Sequence, residues 1–215
     1  MRNKKKRFGI SLRVELIEKY NEKRDTLSQE WTNFLQKRAI IPILIPNTLD
    51  DVKSYISDLG IDGLILSGGD NIGEFPERDK TEKQILDYAI DKRFPVLGVC
   101  RGMQIINEYF AGKVFANDNN SHVGKPHQIH IMDQKFSKLL GDDNIQVNSF
   151  HNNIITKKGI GEKLQVFALS DHDNTIEGYY HSDLPIIGVM WHPERGMVSK
   201  HQTKLLEIFE NKSLW

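Results

Sequence analysis

Short apolar runs alternate with amphipathic helical patterns along this chain of 215 residues. Each apolar run has the length and composition of a buried strand. The runs occupy residues 8–11, 41–45, 63–66, 96–99, 165–169, 175–179 and 186–190. Helical patterns cover residues 27–38, 49–59, 81–92, 102–110 and 201–209. Such alternation predicts an α/β fold in which helices cover both faces of a central, mostly parallel sheet.

The length and charge of the chain limit its organisation and its partners. We expect a single domain over residues 1–215, because this length suits one well-buried α/β unit. Since 29 basic residues balance 29 acidic ones, no net field attracts nucleic acid or an anionic membrane, and we expect neither as a partner. No apolar stretch reaches the length of a membrane span, the first residues lack the apolar region of a signal peptide so that we expect no export, and the chain has one cysteine. These features favour a cytoplasmic protein.

The only cysteine lies in the run Gly98-Val99-Cys100-Arg101-Gly102, between a predicted strand and a predicted helix. A residue at a sharp strand-to-helix turn has an unfavourable backbone, and small residues two positions away on either side let the two elements approach. Gly98 and Gly102 meet that requirement. At a helix N-terminus, free N–H groups and the helix dipole favour a thiolate. A lone cysteine here is equally compatible with a buried apolar residue, so the pattern alone leaves two interpretations.

A second segment, Trp191-His192-Pro193-Glu194, follows the predicted strand 186–190. Alternation places His192 and Glu194 on the same side of the chain, so the carboxylate can orient the imidazole toward a thiol. The proline between them fixes one backbone angle. A single motif of this kind is weak support for a catalytic pair, but its combination with the cysteine turn favours one.

A third segment, Ser67-Gly68-Gly69, follows the predicted strand 63–66. Backbone N–H groups at such a glycine pair can turn toward an oxyanion, although an ordinary β-turn has the same composition. The glycine pair, Cys100 and His192 each follow a predicted strand directly. Because chemistry collects at the carboxyl ends of parallel strands, we expect all three in one site.

These segments, in this order, resemble the class I glutamine amidotransferase superfamily, specifically its stand-alone γ-glutamyl hydrolases. The resemblance covers nearly the whole chain, and its motifs are the glycine turn, the cysteine turn with Gln104, Val147-Asn148-Ser149-x-His151, and the Trp-His-Pro-Glu segment. It implies a flavodoxin-like fold and a cysteine-dependent hydrolysis of a γ-glutamyl amide bond that releases glutamate. It implies no cofactor and no metal.

The resemblance also implies roles for individual residues. Cys100 would be the nucleophile, His192 the general base and then acid, and Glu194 the group that orients it. The backbone N–H groups of Gly69 and Arg101 would form the oxyanion hole. The substrate-binding positions would be Gly68, Gln104, Asn148, Ser149, Phe150 and His151. The family's Arg-Asp-x-x-Glu motif occurs at residues 78–82, where we expect Asp79 to cap a helix and Glu82 to complete a capping box.

The substrate loop departs from many stand-alone relatives. It continues after His151 with Asn152-Asn153, where those relatives read His-Gln, and this argues against a simple transfer of γ-glutamyl-γ-aminobutyrate specificity. The chain resembles most the hydrolases that release glutamate from γ-glutamyl-CDP-amidate, giving cytidine diphosphoramidate for capsule biosynthesis. Hydrolysis of another γ-glutamyl amine is an alternative, as is a glutaminase subunit that supplies ammonia to a synthetase.

The sequence makes further predictions about ligands. We expect a small-molecule γ-glutamyl substrate and no obligate synthetase partner, since the chain is too short to include a fused synthetase. Candidate contacts to the leaving group are the loop 121–127 and the segment 11–13. The spacing of His122, His127 and His130 matches no zinc pattern, so we expect no metal site there.

Overall fold

The computed structural model describes residues 5–117, 124–196, 199–212 and 214–215. Its strands are β1 (Arg7–Ser11), β2 (Arg13–Ile17), β3 (Glu22–Thr26), β4 (Ile41–Ile45), β5 (Gly63–Leu66), β6 (Val96–Val99), β7 (Phe115–Ala116), β8 (His127–Ile131), β9 (Asn144–Val147), β10 (Asn153–Ile154), β11 (Leu164–Ser170), β12 (Ile176–His181) and β13 (Ile186–Val189). Its α-helices are α1 (Gln29–Gln36), α2 (Val52–Asp58), α3 (Pro76–Lys92), α4 (Arg101–Tyr109), α5 (Gln134–Leu140) and α6 (Lys200–Asn211).

A nine-stranded sheet forms the centre of the fold, in the order β4-β1-β5-β6-β13-β12-β11-β8-β9. The strands from β4 to β13 pair in parallel. The strands from β13 to β9 pair antiparallel and extend the sheet. Three of the parallel strands, β4, β5 and β6, have the predicted bounds. The predicted central sheet is therefore confirmed, and the sequence pattern missed β8 and β9, whose buried and exposed residues alternate.

Helices cover both faces of the sheet. Residues of α1, α5 and α6 share one buried apolar cluster, and residues of α2, α3 and α4 share the other. Successive residues of β5 alternate between the two clusters, with Ile65 in the first and Leu64 and Leu66 in the second. Burial of both faces explains why β5, β6 and β13 are continuous apolar runs rather than alternating ones, whereas the edge strand β4 is apolar but partly exposed. Because β5, β6 and β13 are neighbouring parallel strands, their carboxyl ends lie side by side at one edge of the sheet.

A charged hairpin made of β2 and β3 was not predicted, because it contains no apolar run. Asp70 attaches this hairpin to the glycine turn. Its carboxylate accepts a hydrogen bond from the backbone N–H of Val14 at 3.1 Å and from the Arg78 guanidinium at 2.9 Å. The aspartate that directly follows the glycine pair is thus a structural link between the hairpin and the sheet.

The predicted start of the third helix is wrong. Helix α3 begins at Pro76, five residues earlier than expected, because proline is favoured in the first turn of a helix. Asp79 and Glu82 therefore lie inside the helix rather than at its cap, and Glu82 is fully buried. Their side chains are free to make long-range contacts, which are described below.

Part of the proposed leaving-group loop, residues 121–123 with His122, lies outside the described residues. None of the described helices combines the length and the apolar composition that a membrane span requires.

Candidate active site

Cys100 occupies the turn between β6 and α4. Its backbone has φ of 53° and ψ of −107°, a conformation that costs a non-glycine residue of order 1–3 kcal/mol. A Cβ on Gly98 would lie 2.6 Å from the Gly102 carbonyl oxygen, and a Cβ on Gly102 would lie 1.9 Å from that of Leu66. The two glycines are thus required by close approach of the backbone, as the sequence predicted.

The thiol side chain and the imidazole of His192 meet above Gly68. A Cβ on Gly68 would lie 2.8 Å from His192 Cε1 and 3.5 Å from Cys100 Cβ. The other side of the imidazole faces Glu194, since His192 Nδ1 and Glu194 Oε1 are 2.7 Å apart. All three side chains are at least nine-tenths buried. The structure brings together the cysteine, the histidine and the carboxylate that the sequence placed in one site.

Asn148 fixes the backbone of His192. Its amide nitrogen donates to the His192 carbonyl at 2.8 Å, and its amide oxygen accepts from the His192 N–H at 2.8 Å. It also donates to the carbonyl of Arg195 at 3.1 Å. Asn148, which the sequence assigned to substrate binding, is therefore committed to holding the His192 segment through its side chain.

A buried ionic network lies behind the glycine turn. Arg78 donates to the carbonyls of Ser67 at 2.8 Å and Gly68 at 3.1 Å. Glu82 accepts from Arg78 Nε at 3.2 Å and from the Ser11 hydroxyl at 2.7 Å, and its other oxygen accepts from the Arg101 guanidinium.

One carboxylate thus joins the glycine turn to the first residue of α4. Arg101 is also paired with Asp79. Burial raises the pKa of Glu82, but the charges of Arg78 and Arg101 and the hydrogen bonds from Ser11 and Arg101 outweigh it, so the pKa lies below its ordinary value. Glu82 is therefore ionised at neutral pH and compensates two buried guanidinium groups.

A second buried carboxylate, Glu177 on β12, lies between two histidines. Its Oε1 is 3.4 Å from His127 Nε2 and 3.6 Å from His151 Nε2. Burial raises the pKa of Glu177, but the hydrogen bonds and charges of the two imidazoles lower it to about 2. For His151, burial lowers the pKa, and the Glu177 carboxylate together with the charge of Cys100 raises it above the ordinary value. The positive charge of His151 lowers the pKa of the Cys100 thiol.

The environment of the thiol favours a thiolate. Burial raises the pKa of Cys100, but the hydrogen bond and charge of His192, the charge of His151 and the Arg101 backbone N–H bring it below its ordinary value. Burial lowers the pKa of His192, yet its contacts with Cys100 and Glu194 raise it to about 9. The imidazolium of His192 and the thiolate of Cys100 therefore stabilise each other.

The pH dependence of alkylation is expected to report this pair. Iodoacetamide should modify Cys100 with a midpoint below that of free cysteine, and substrate turnover should fall above about pH 9, where His192 loses its proton. The rate of carbamidomethylation between pH 5 and pH 10, followed by intact mass, measures the midpoint. In a His192→Ala control the midpoint should move upward. A wild-type midpoint at or above that of free cysteine would contradict the proposed ion pair.

The remaining predicted substrate contacts lie around this centre. Gln104 is buried on α4 beside Met190, 3.7 Å from its sulfur, and lines a cavity of about 270 Å³ that also includes Glu108. Ser149 is buried. The half-exposed ring of Phe150 lies edge-on to the imidazole of His192, with 5.8 Å between ring centroids.

No described residues form a group of three or more His, Cys, Asp and Glu side chains that could hold a metal ion. The part of the predicted loop that is described, from Gly124 onward, contributes His127, and this side chain contacts Glu177.

Comparison with known proteins assigns the chain to a family. A family model described as peptidase C26 matches residues 9–194 and therefore spans all three motifs. The chain belongs to the peptidase C26 family. The resemblance to class I glutamine amidotransferases that the motifs indicated is thereby confirmed.

This C26 protein is similar to two curated relatives over most of its length. It is 34% identical to the gamma-glutamyl-CDP-amidate hydrolase of Campylobacter jejuni over 197 residues, which are 87% of this chain and 90% of the relative. It is 37% identical to a Schizosaccharomyces pombe protein described as a glutamine amidotransferase, over 72% of this chain and 71% of the relative. Together with the family, these relatives support a hydrolase that acts on amide bonds.

A solved structure confirms the fold. A crystal structure of a Thermoplasma acidophilum protein, described as a component of GMP synthase, matches this C26 protein with a TM-score of 0.73 and 21% sequence identity. The match covers 97% of this chain and 94% of the other. The flavodoxin-like α/β architecture is therefore shared with glutamine amidotransferases.

Proposed function

We propose that this protein hydrolyses a γ-glutamyl amide bond, with Cys100 as nucleophile, and that its substrate is γ-glutamyl-CDP-amidate. The observation that carries the proposal is the buried Cys100–His192–Glu194 arrangement at the strained turn after β6. The similarity to the C. jejuni hydrolase over nearly the full length of both proteins supports the choice of substrate.

In the proposed first step, the Cys100 thiolate attacks the δ-carbonyl carbon of the glutamyl group. The backbone N–H groups of Gly69 and Arg101 would stabilise the oxyanion that forms. A positive φ of 126° at Gly69, and a side chain of Arg78 where its Cβ would lie, keep this residue a glycine. The ionic network around Glu82 supports both donors, because it binds the carbonyls that precede Gly69 and the side chain of Arg101.

The imidazolium of His192 would then donate its proton to the departing nitrogen, and the C–N bond breaks to leave a glutamyl thioester on Cys100. The neutral imidazole takes a proton from water, whose oxygen attacks the thioester. The C–S bond breaks, glutamate leaves, and the thiolate and imidazolium are restored. Glu194 keeps the ring oriented through both proton transfers at 2.7 Å.

The experiment that tests the proposal is a partner-free assay. The purified chain is incubated separately with γ-glutamyl-CDP-amidate, γ-glutamyl-γ-aminobutyrate and glutamine, and released glutamate is measured. We expect the nucleotide substrate to have the highest kcat/KM. A chain that releases glutamate only from glutamine, and only when a synthetase is added, would instead be a glutaminase component of a larger enzyme. The similarity in fold to a GMP synthase component makes that the second candidate.

A further inference from the structure

A groove of about 450 Å³ opens beside the His192–Glu194 pair. Three residues of its lining contact that pair. Asn148 binds the backbone of His192, the Phe150 ring lies 5.8 Å from the imidazole, and Arg195 Nε lies 3.8 Å from Glu194 Oε1. The groove is therefore adjacent to the catalytic imidazole that the proposed function requires, because Phe150 lines the groove and also contacts the imidazole. Its volume falls within the roughly 300–1,000 Å³ typical of small-molecule sites.

The described lining of this groove combines apolar side chains with amide groups, the aromatic rings of Phe150 and Trp191, and the Arg195 guanidinium. No described residue of the lining is acidic. The Arg195 guanidinium lies over the face of the Phe150 ring, 4.7 Å from its centroid. A guanidinium beside an aromatic ring is able to bind a phosphate together with a planar ring.

Arg195 is flanked by two carboxylates and keeps part of its side chain exposed. Its Nε is 3.4 Å from Glu30 and 3.8 Å from Glu194, both outside the groove lining, and its side chain is about a quarter exposed. His201 is paired with Asp142 at 2.7 Å. Among the described residues that line the groove, Arg195 is the arginine, and it adjoins the catalytic pair.

The direction of proton transfer identifies which part of the substrate enters the groove. In the proposed reaction His192 protonates the departing nitrogen, so the leaving group lies on the imidazole side of the scissile bond. The cavity at Gln104 differs in chemistry, because Glu108 gives it a carboxylate suited to an ammonium group. The groove beside Phe150 and Arg195 has the opposite charge preference.

We propose that this groove binds the leaving group of the γ-glutamyl substrate, and that Arg195 and Phe150 select one that joins phosphate charge to a planar ring. The inference rests on the proposed function and adds to it the residues that determine specificity. A pyrimidine nucleoside diphosphate has both required features. A leaving group as small as ammonia would leave the groove unused.

The test compares two substrates in Arg195→Gln, with γ-glutamyl-p-nitroanilide as the substrate whose leaving group has a ring but no phosphate. We expect kcat/KM for γ-glutamyl-CDP-amidate to fall at least roughly tenfold more than kcat/KM for the anilide, mainly through KM. Arg195→Lys, which keeps the charge, should recover part of the loss. Lys53→Gln, which removes an exposed cation from α2, is the matched control.

Equal losses for the two substrates would mean that Arg195 acts only through Glu194, and would overturn the groove assignment while leaving the proposed function in place. Failure of the wild type to release glutamate from either substrate would overturn the proposed function itself. CDP binding to Cys100→Ala, measured by calorimetry, tests the groove without turnover. We expect binding that weakens with salt and weakens roughly tenfold on adding Arg195→Gln. No CDP binding, or equal binding in both proteins, would contradict the proposal.

Discussion

Replacing Cys100 with alanine is expected to reduce glutamate release by roughly 10⁴-fold or more, because no other group can form the thioester. The fold should persist. Cys100 has a small buried side chain, and alanine at φ of 53° meets the same backbone cost as cysteine. The rate is measured as the glutamate released from γ-glutamyl-CDP-amidate per unit time, divided by the enzyme concentration.

A matched control separates loss of chemistry from loss of structure. Urea unfolding of Cys100→Ala should give a midpoint close to that of the wild type. Cys100→Ser should also lose most activity, since a hydroxyl at this position is not ionised by the same contacts. An alanine variant that keeps more than a small fraction of wild-type turnover would exclude covalent catalysis at this residue.

Replacing Glu82 with glutamine is expected to destabilise the fold by about 3–5 kcal/mol, the typical cost of removing one partner from a buried ionic network. Glu82 has no exposed surface and compensates Arg78 and Arg101. The free energy of unfolding in urea at neutral pH measures the effect. Glu207→Gln, on the exposed side of α6, is the control and should change stability by less than about 0.5 kcal/mol.

The pH dependence gives a second signature of Glu82. Because its folded pKa lies below the ordinary value of 4.5, its contribution to stability is complete above that pH and is lost as the pH falls through the folded pKa. The difference in stability between wild type and Glu82→Gln should therefore be largest near neutral pH and shrink in acid. A difference that is independent of pH, or a variant as stable as the control, would show that the carboxylate does not support the two arginines.

Glu82 also tests whether the network positions the oxyanion donors. Any folded Glu82→Gln protein should lose kcat more than it raises KM, because the oxyanion develops only during the reaction. A merely structural role would leave kcat per folded molecule unchanged.

The central strands and the cysteine turn could be predicted from the sequence because local rules decide them. Strands buried on both faces are continuous apolar runs, and Gly98 and Gly102 are fixed by contacts within a few residues of the turn or with the neighbouring strand. The pairing of His192 with Glu194 was predicted from alternation at a strand end, but β13 ends at Val189 and both residues lie in the turn that follows it. The central strands, the cysteine turn and the His192–Glu194 segment could be predicted because nearby residues, or the order of the strands, determine their positions.

The ionic networks could not be predicted in the same way, because their partners are distant in sequence. Glu82 joins Ser11, Arg78 and Arg101, and only the folded sheet shows that these residues meet. The charged stretch 78–82 also fits a helix-capping pattern. The helix begins earlier, at Pro76, so Asp79 and Glu82 lie inside it. Glu177 gave one signal, a lone carboxylate within an apolar strand, which is typical of a buried charge that has a partner.

The measurement that tests the central claim most directly is the mass of the chain during turnover. Wild-type protein is mixed with saturating γ-glutamyl-CDP-amidate, quenched in acid over a series of times, and analysed by intact mass and peptide mapping. We predict a glutamyl adduct on Cys100 that appears within the first turnovers, decays when substrate is exhausted and is absent from Cys100→Ala. Continuing turnover with no adduct at any time, or an adduct on another residue, would contradict the account.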